Sequence, residues 1–137
     1  MLPLRYTILW HDGIAEPHFD LMFQTRPGSA LATWRSLAWP IERETPLVRL
    51  KDHRRDFLEY EGELTGHRGR VRRVAGGTCE LSIGQNAIWQ VRSLDAAAPF
   101  ALILQQIGGE HWQVRPELVT ETELTSRQTA SRARKKC

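Results

Sequence analysis

Hydrophobic and polar positions alternate along most of this chain, in short runs broken by turn residues. Leu4 to Trp10 is rich in strand formers, and Pro17 to Gln24 follows after a link that carries the turn pair Asp12-Gly13; together they predict a hairpin. In the second run Phe19, Leu21 and Phe23 fall on one side of an extended chain, and His18, Asp20, Met22 and Gln24 on the other. The apolar side reads as core. Ala30 to Ser36 predicts a third strand with Leu31, Thr33 and Arg35 opposite Ala32 and Trp34. Ala38 to Pro46 is irregular, and Leu47 to Lys51 resumes an extended run. Asp52 to Leu58 reads as a single helical turn capped by Asp52, which would put His53 and Phe57 on one face. Glu59 to Leu64 is short and extended.

The second half continues in the same way. A loop at Gly66-His67-Arg68-Gly69 precedes strands at Arg70 to Ala75 and Thr78 to Ile83, with Gly76-Gly77 read as the turn between them. Ala87 to Leu94, Pro99 to Ile107 and His111 to Arg115 complete the strands. Gly84-Gln85-Asn86, Asp95 to Ala98 and Gly108-Gly109 separate them. Turn signals this frequent, with short strands between, predict an all-β barrel or sandwich. The expected fold is mostly β: a compact antiparallel β-barrel with one or two short helical segments.

A length of 137 residues suits one domain with one core, and 41% hydrophobic with 26% charged residues is an ordinary globular balance. No apolar run approaches a membrane span and no signal peptide is evident, so a cytoplasmic monomer without membrane contact is expected. Cys79 and Cys137 do not suggest a disulfide framework, and Cys79 reads as a buried small hydrophobe. Charge is uneven. Thr125 to Cys137 holds Arg127, Arg132, Arg134, Lys135 and Lys136 without an acid, more cations than the chain's net +3, so the rest is weakly acidic. The expected organisation is a domain over residues 1–124 and a basic, disordered tail over residues 125–137. The tail either solubilises the chain or adds a salt-sensitive affinity for nucleic acid.

Candidate chemistry starts from His18 and Asp20. Two residues apart in a strand, their side chains stand roughly 7 Å apart along one face. A second imidazole, His11, lies across the Asp12-Gly13 turn. Two imidazoles and a carboxylate suit a mononuclear transition-metal site with open positions. The same string also suits a histidine at a sheet edge with Asp20 as its hydrogen-bond partner. Arg68, Arg70 and Arg72 alternate with Arg73 opposite, as in a solvated hairpin or the wall of a nucleic-acid groove. His67 and His111 read as surface residues, and Trp10, Trp34 and Trp89 as core. Neither a nucleophile elbow nor a nucleotide-binding Gly-rich loop is present.

Several spacings coincide in order: His11 before His18-Phe19-Asp20, then Thr33-Trp34-Arg35 and Pro40, then Asp52-His53 with Phe57 and Tyr60-Glu61-Gly62, then Gly66-His67-Arg68-Gly69-Arg70-Val71 and Gly77-Thr78-Cys79-Glu80. On these motifs the chain resembles the 3′-phosphoesterase module at the N-terminus of bacterial DNA ligase D and its small free-standing relatives. The resemblance runs from Tyr6 to Leu81. It implies that His11, His18 and Asp20 hold a divalent metal, manganese in the family, with zinc the other candidate. It also implies that His53 is the catalytic residue, as phosphate contact or general acid. The expected activity is removal of a 3′-phosphate or 3′-ribonucleoside from nucleic-acid ends in DNA repair by non-homologous end joining. A DNA ligase or repair polymerase is the expected partner.

Two positions depart from the family. Met22 stands where the family has an arginine, and Phe57 where it has a tyrosine; both lost groups would touch phosphate. The spacing from His11 to His18 is also one residue longer. Arg43 or Arg49 could supply the missing cation, and the sequence does not choose between them. A weakened phosphoesterase would gain activity from Met22→Arg with Phe57→Tyr. The other reading is a catalytically inactive, metal-containing module that binds DNA ends or another phosphate ligand.

Overall fold

The computed structural model describes residues 3–117. The basic tail and the domain boundary expected at residue 124 lie outside the described residues. β1 (Leu4–Asp12) and β2 (His18–Gln24) form the expected hairpin, with Ile8 opposite Leu21 and His11 opposite His18. β3 (Leu31–Ser36) and β4 (Thr45–His53) follow, then the two-residue β5 (Gly62–Glu63), then β6 (Arg70–Ile83). β7 (Ile88–Ser93), β8 (Ala101–Gly108) and β9 (His111–Pro116) complete the set. Neighbours run β1-β2-β3-β4-β9-β8-β7-β6, and β6 pairs back onto β1. The result is the expected antiparallel barrel, closed and eight-stranded. β5 takes the other edge of β6 at Arg70 and Val71. Among the described residues helix is confined to short 3₁₀ turns at Arg55–Leu58 and Gln85–Ala87. Among the described residues no helix is long and apolar enough to cross a membrane.

Alternation explains the barrel interior. Tyr6, Ile8, Leu21, Phe23, Ala32 and Trp34 point inward to meet Val91, Leu102, Leu104 and Val114 from the far wall. Trp34, Trp89 and Trp112 meet edge to face at one side of this core, with ring centroids 5.0–6.0 Å apart. The outer face of β1, β2 and β3 is buried as well. There Leu9, Met22, Leu31 and Val71 form a second apolar cluster under Leu58, with Phe57 and Leu64 packed against it. The segment from Arg54 to Gly69 is therefore a cover strapped to the outside of the barrel. Arg73 holds it, donating from Nη2 to the Leu58 carbonyl at 2.8 Å while its backbone N–H donates to Glu61 Oε2 at 2.6 Å. Arg5 pairs with Glu59 at 2.8 Å at its other margin.

Two local expectations are corrected. Gly76-Gly77 is no turn: β6 runs unbroken through it, paired with Thr7 and Tyr6 of β1. The glycines serve close approach, since a Cβ on Gly76 would lie 3.0 Å from Arg73 Cδ and 3.4 Å from the Tyr6 carbonyl oxygen. A bulge beside Ile8 and Leu9 adds the bend that closure needs. Nor does a turn capped by Asp52 carry His53. β4 continues through His53, which pairs with Leu31, and the 3₁₀ turn begins at Arg55 with no side-chain cap. The Asp52 carboxylate turns instead to Arg49, at 3.5 Å.

Cys79 is fully buried, as expected. Burial, with Glu80 adding to it, pushes its thiol pKa from 9.0 up to about 12. Burial also raises Tyr6, helped by Asp95 and Cys79. Each group holds its proton longer in the folded state than in the unfolded one. Their contribution to stability is complete below pH 9 and is lost as pH rises toward their folded values. Urea midpoints are expected to fall between about pH 9 and 11, with a shallower fall in Cys79→Ala. Equal slopes in both proteins would dismiss the thiol as the cause.

Candidate metal centre and phosphate cleft

The β1–β2 register sets His11 directly opposite His18 and Leu9 opposite Asp20, so all three polar side chains leave the outer face of one hairpin end. His18 and Asp20 are each 3% exposed. One ligand atom from each of His11, His18 and Asp20 lies within 4.8 Å of the others. Asp20 Oδ2 is 3.4 Å from His11 Nδ1, and Oδ1 is 3.2 Å from His18 Nε2. The remote ring nitrogens are both engaged by backbone: His11 Nε2–H donates to the Arg68 carbonyl at 2.7 Å, and His18 Nδ1–H to the Glu16 carbonyl at 2.8 Å. Those bonds select the tautomers whose lone pairs face Asp20. This is how metal-ligating histidines are oriented.

Two glycines make the His11 bond. Gly69 has φ +83°, and a Cβ there would overlap the Asp12 carbonyl; Gly13 has φ +75° and packs against Gly69 Cα. The loop at residues 66–69 can therefore lie directly on the end of β1, which delivers the Arg68 carbonyl to the imidazole.

The donor set fits a divalent ion. At bonds of about 2.0–2.2 Å, two donors on one ion stand at most about 4.4 Å apart, within a few tenths of an ångström of the spread seen. While His18 is neutral and turns its Nε2 lone pair to it, the buried Asp20 Oδ1 has no hydrogen-bond partner among the described residues, an expensive arrangement for a carboxylate oxygen unless a cation or a proton on His18 meets it. The carboxylate raises the pKa of His18, chiefly by hydrogen bonding, while burial opposes it.

Beside the cluster opens a cleft of about 450 Å³. His11, Asp20 and Met22 form one wall, and His53, Phe57 and Leu64 line it too. His53 thus lines the same cleft as His11 and Asp20. Its Nδ1–H donates to the Lys51 carbonyl at 3.0 Å, and its ring meets Phe57 at 5.6 Å. Contact with Phe57 survives although the helical spacing invoked for it does not. Met22 and Phe57, the two positions expected to face phosphate, do line the cleft.

Neither arginine expected at the phosphate is there. Arg49 lies opposite Trp34 on the inner face, with its guanidinium 4.5, 5.3 and 5.6 Å from the rings of Trp34, Trp89 and Trp112. It caps the tryptophan cluster as a cation–π partner. Arg43 is exposed, precedes β4, and is separated from His53 by the length of that strand. The cations that do line the cleft are Lys51, Arg54 and Arg68. Among the described residues none of the three pairs with a carboxylate, whereas Arg5, Arg35, Arg49, Arg70 and Arg92 each do. Lys51 and Arg54 flank His53 in the chain, and that adjacency was the available signal. Arg68 carried none, because the glycine-permitted loop fold brings it in. Of the arginines read as one alternating face, Arg70 pairs with Asp12 and Arg72 lies beside Trp10 and Phe19, apart from this cleft. His67 and His111 are exposed.

Compared with protein-family models and with curated proteins, the chain matches none.

Proposed function

We propose that the chain is a divalent-metal-dependent phosphoesterase acting on nucleic-acid 3′ ends, with manganese as the expected ion. The convergence of His11, His18 and Asp20 beside three unpaired cations and His53 carries this reading. The ordered resemblance to the ligase D phosphoesterase module supports it. When bound, the ion would supply Lewis-acid stabilisation of a phosphoryl oxygen. The chain's own groups supply the rest. Lys51, Arg54 and Arg68 bind and orient the phosphate through charge-assisted hydrogen bonds. Water attacks phosphorus, the bond from phosphorus to the 3′ oxygen breaks, and His53 acts as the general acid, giving a proton from Nε2 to the departing oxygen. Phe57 and Leu64 keep that side of the cleft apolar, which strengthens these interactions.

The test is release of phosphate from a 3′-phosphorylated primer with Mn²⁺. His53→Ala is expected to slow it by about 10²–10⁴ while leaving metal content unchanged. Metal binding without any turnover in the parent chain would refute the enzyme. That result would leave a module that binds a phosphate end, the reading favoured by finding apolar Met22 and Phe57 in the cleft lining. A repair ligase or polymerase as partner belongs to the same proposal.

A further inference from the structure

A second groove, of about 250 Å³, adjoins the cleft and is lined by the cover segment itself. Arg54, Phe57, Leu64 and Arg68 line both spaces, so the two are continuous across them. The aromatic rings form a row that passes from one into the other: His53 meets Phe57 at 5.6 Å, and Phe57 meets Tyr60 edge to face at 6.3 Å. Tyr60 is 39% exposed. Its hydroxyl donates to the Glu63 carbonyl, which sets the ring at the groove. Arg68 is held on the boundary, its Nε and Nη2 donating to Thr65 at 2.7 and 3.0 Å. Asp56 and Glu63 also line the groove, and neither forms an ion pair among the described residues.

We propose that this groove is the subsite for the nucleoside that carries the 3′-phosphate, with its base on Tyr60 and its phosphate between Arg54 and Arg68. The proposal rests on the phosphoesterase reading of the cleft. Charge is distributed as such a ligand requires. The two arginines stand where the groove meets the cleft, the place of the phosphate. The two carboxylates belong to the groove alone, apart from the place of the phosphate, where they can accept hydrogen bonds from N–H groups of a base. An exposed tyrosine offers a face that any base can stack on, so the subsite reads the presence of a nucleoside and not its identity.

The experiment compares adenosine 3′-monophosphate with inorganic phosphate by calorimetry, on Mn²⁺-loaded protein carrying His53→Ala so that no probe is consumed. The nucleotide is expected to bind at least about tenfold tighter than phosphate. Tyr60→Ala should erase that ratio, and Tyr60→Phe should keep it, since the ring stacks and the hydroxyl only sets the loop. Arg68→Ala should weaken both probes. Equal affinity for the two probes, no binding of either, or loss of the ratio in Tyr60→Phe as well as Tyr60→Ala would each overturn the subsite. Failure of the underlying reading looks different. Hydrolysis of a primer with no nucleotide preference keeps the enzyme and removes the subsite. Preference without hydrolysis by the parent chain keeps the subsite and removes turnover.

Discussion

Asp20→Ala is expected to lose stoichiometric metal and, with it, hydrolysis. The side chain is the only carboxylate among the three candidate ligands and lies between both imidazoles, so its removal would take away the one anionic donor available to an ion. Disturbing groups that merely orient ligands costs about 10–100-fold in affinity, and loss of a ligand should exceed that. Stability should move the other way. Asp20 is buried between two imidazoles, and without a metal its carboxylate bears a desolvation cost that its pairing with His18, whose pKa it raises, offsets only in part. The metal-free variant is therefore expected to melt no lower than the metal-free parent. Metal analysis with thermal melts of both proteins checks this. Full metal content in the variant would refute the ligand assignment. A large fall in melting temperature would mean that Asp20 is structural, tying the histidines together without an ion.

The second large effect is on folding. Met22→Arg places a guanidinium where the side chain is 1% exposed and packed among Leu9, Leu31, Leu58 and Val71. From sequence this substitution looks like a gain, because residue 22 shares a face with Asp20 and would reach a phosphate. The position does line the cleft, but only as part of its floor beneath the cover segment. An unpaired charge there must be desolvated or must lift Leu58 and Phe57 away. A loss of about 3 kcal/mol is expected, a fall in melting temperature of roughly 10 °C or more. Phe57→Tyr, half-buried at the cleft wall, should be tolerated and is the better single route to an added phosphate contact. Denaturant melts of both variants decide the matter. An unchanged midpoint for Met22→Arg would show that the floor has room for the guanidinium after all.

What could be read from the chain alone, and what could not, divides by range. Alternation in Phe19-Asp20-Leu21-Met22-Phe23 and in Leu31 to Arg35 is local, because successive side chains in a strand point to opposite faces. It therefore placed the strands, their inward residues and the shared face of His18 and Asp20 correctly. The hairpin was also legible, but its register was not: a two-residue turn at Asp12-Gly13 would set His11 opposite Ile14, whereas β1 runs on through Asp12 and His11 stands opposite His18. Gly76-Gly77 misled because glycine serves a turn and a close backbone approach equally well; only the closure of β6 onto β1 distinguishes them. Asp52 misled because an acidic residue before a short polar run resembles a helix cap, and nothing local shows that Arg49 will claim its carboxylate.

Arg49 and Arg68 mark the limit most clearly. Their roles depend on which side of a closed wall each faces. Sequence proximity to His53 made Arg49 a phosphate ligand on paper, but the β3–β4 register turns it inward onto three tryptophans drawn from β3, β7 and β9. Arg68 sits in a loop whose path depends on two glycines touching across a bend. Partners that lie on strands far apart in the chain are chosen by barrel closure and by the cover segment, and those long-range contacts decided where the cations of this cleft come from.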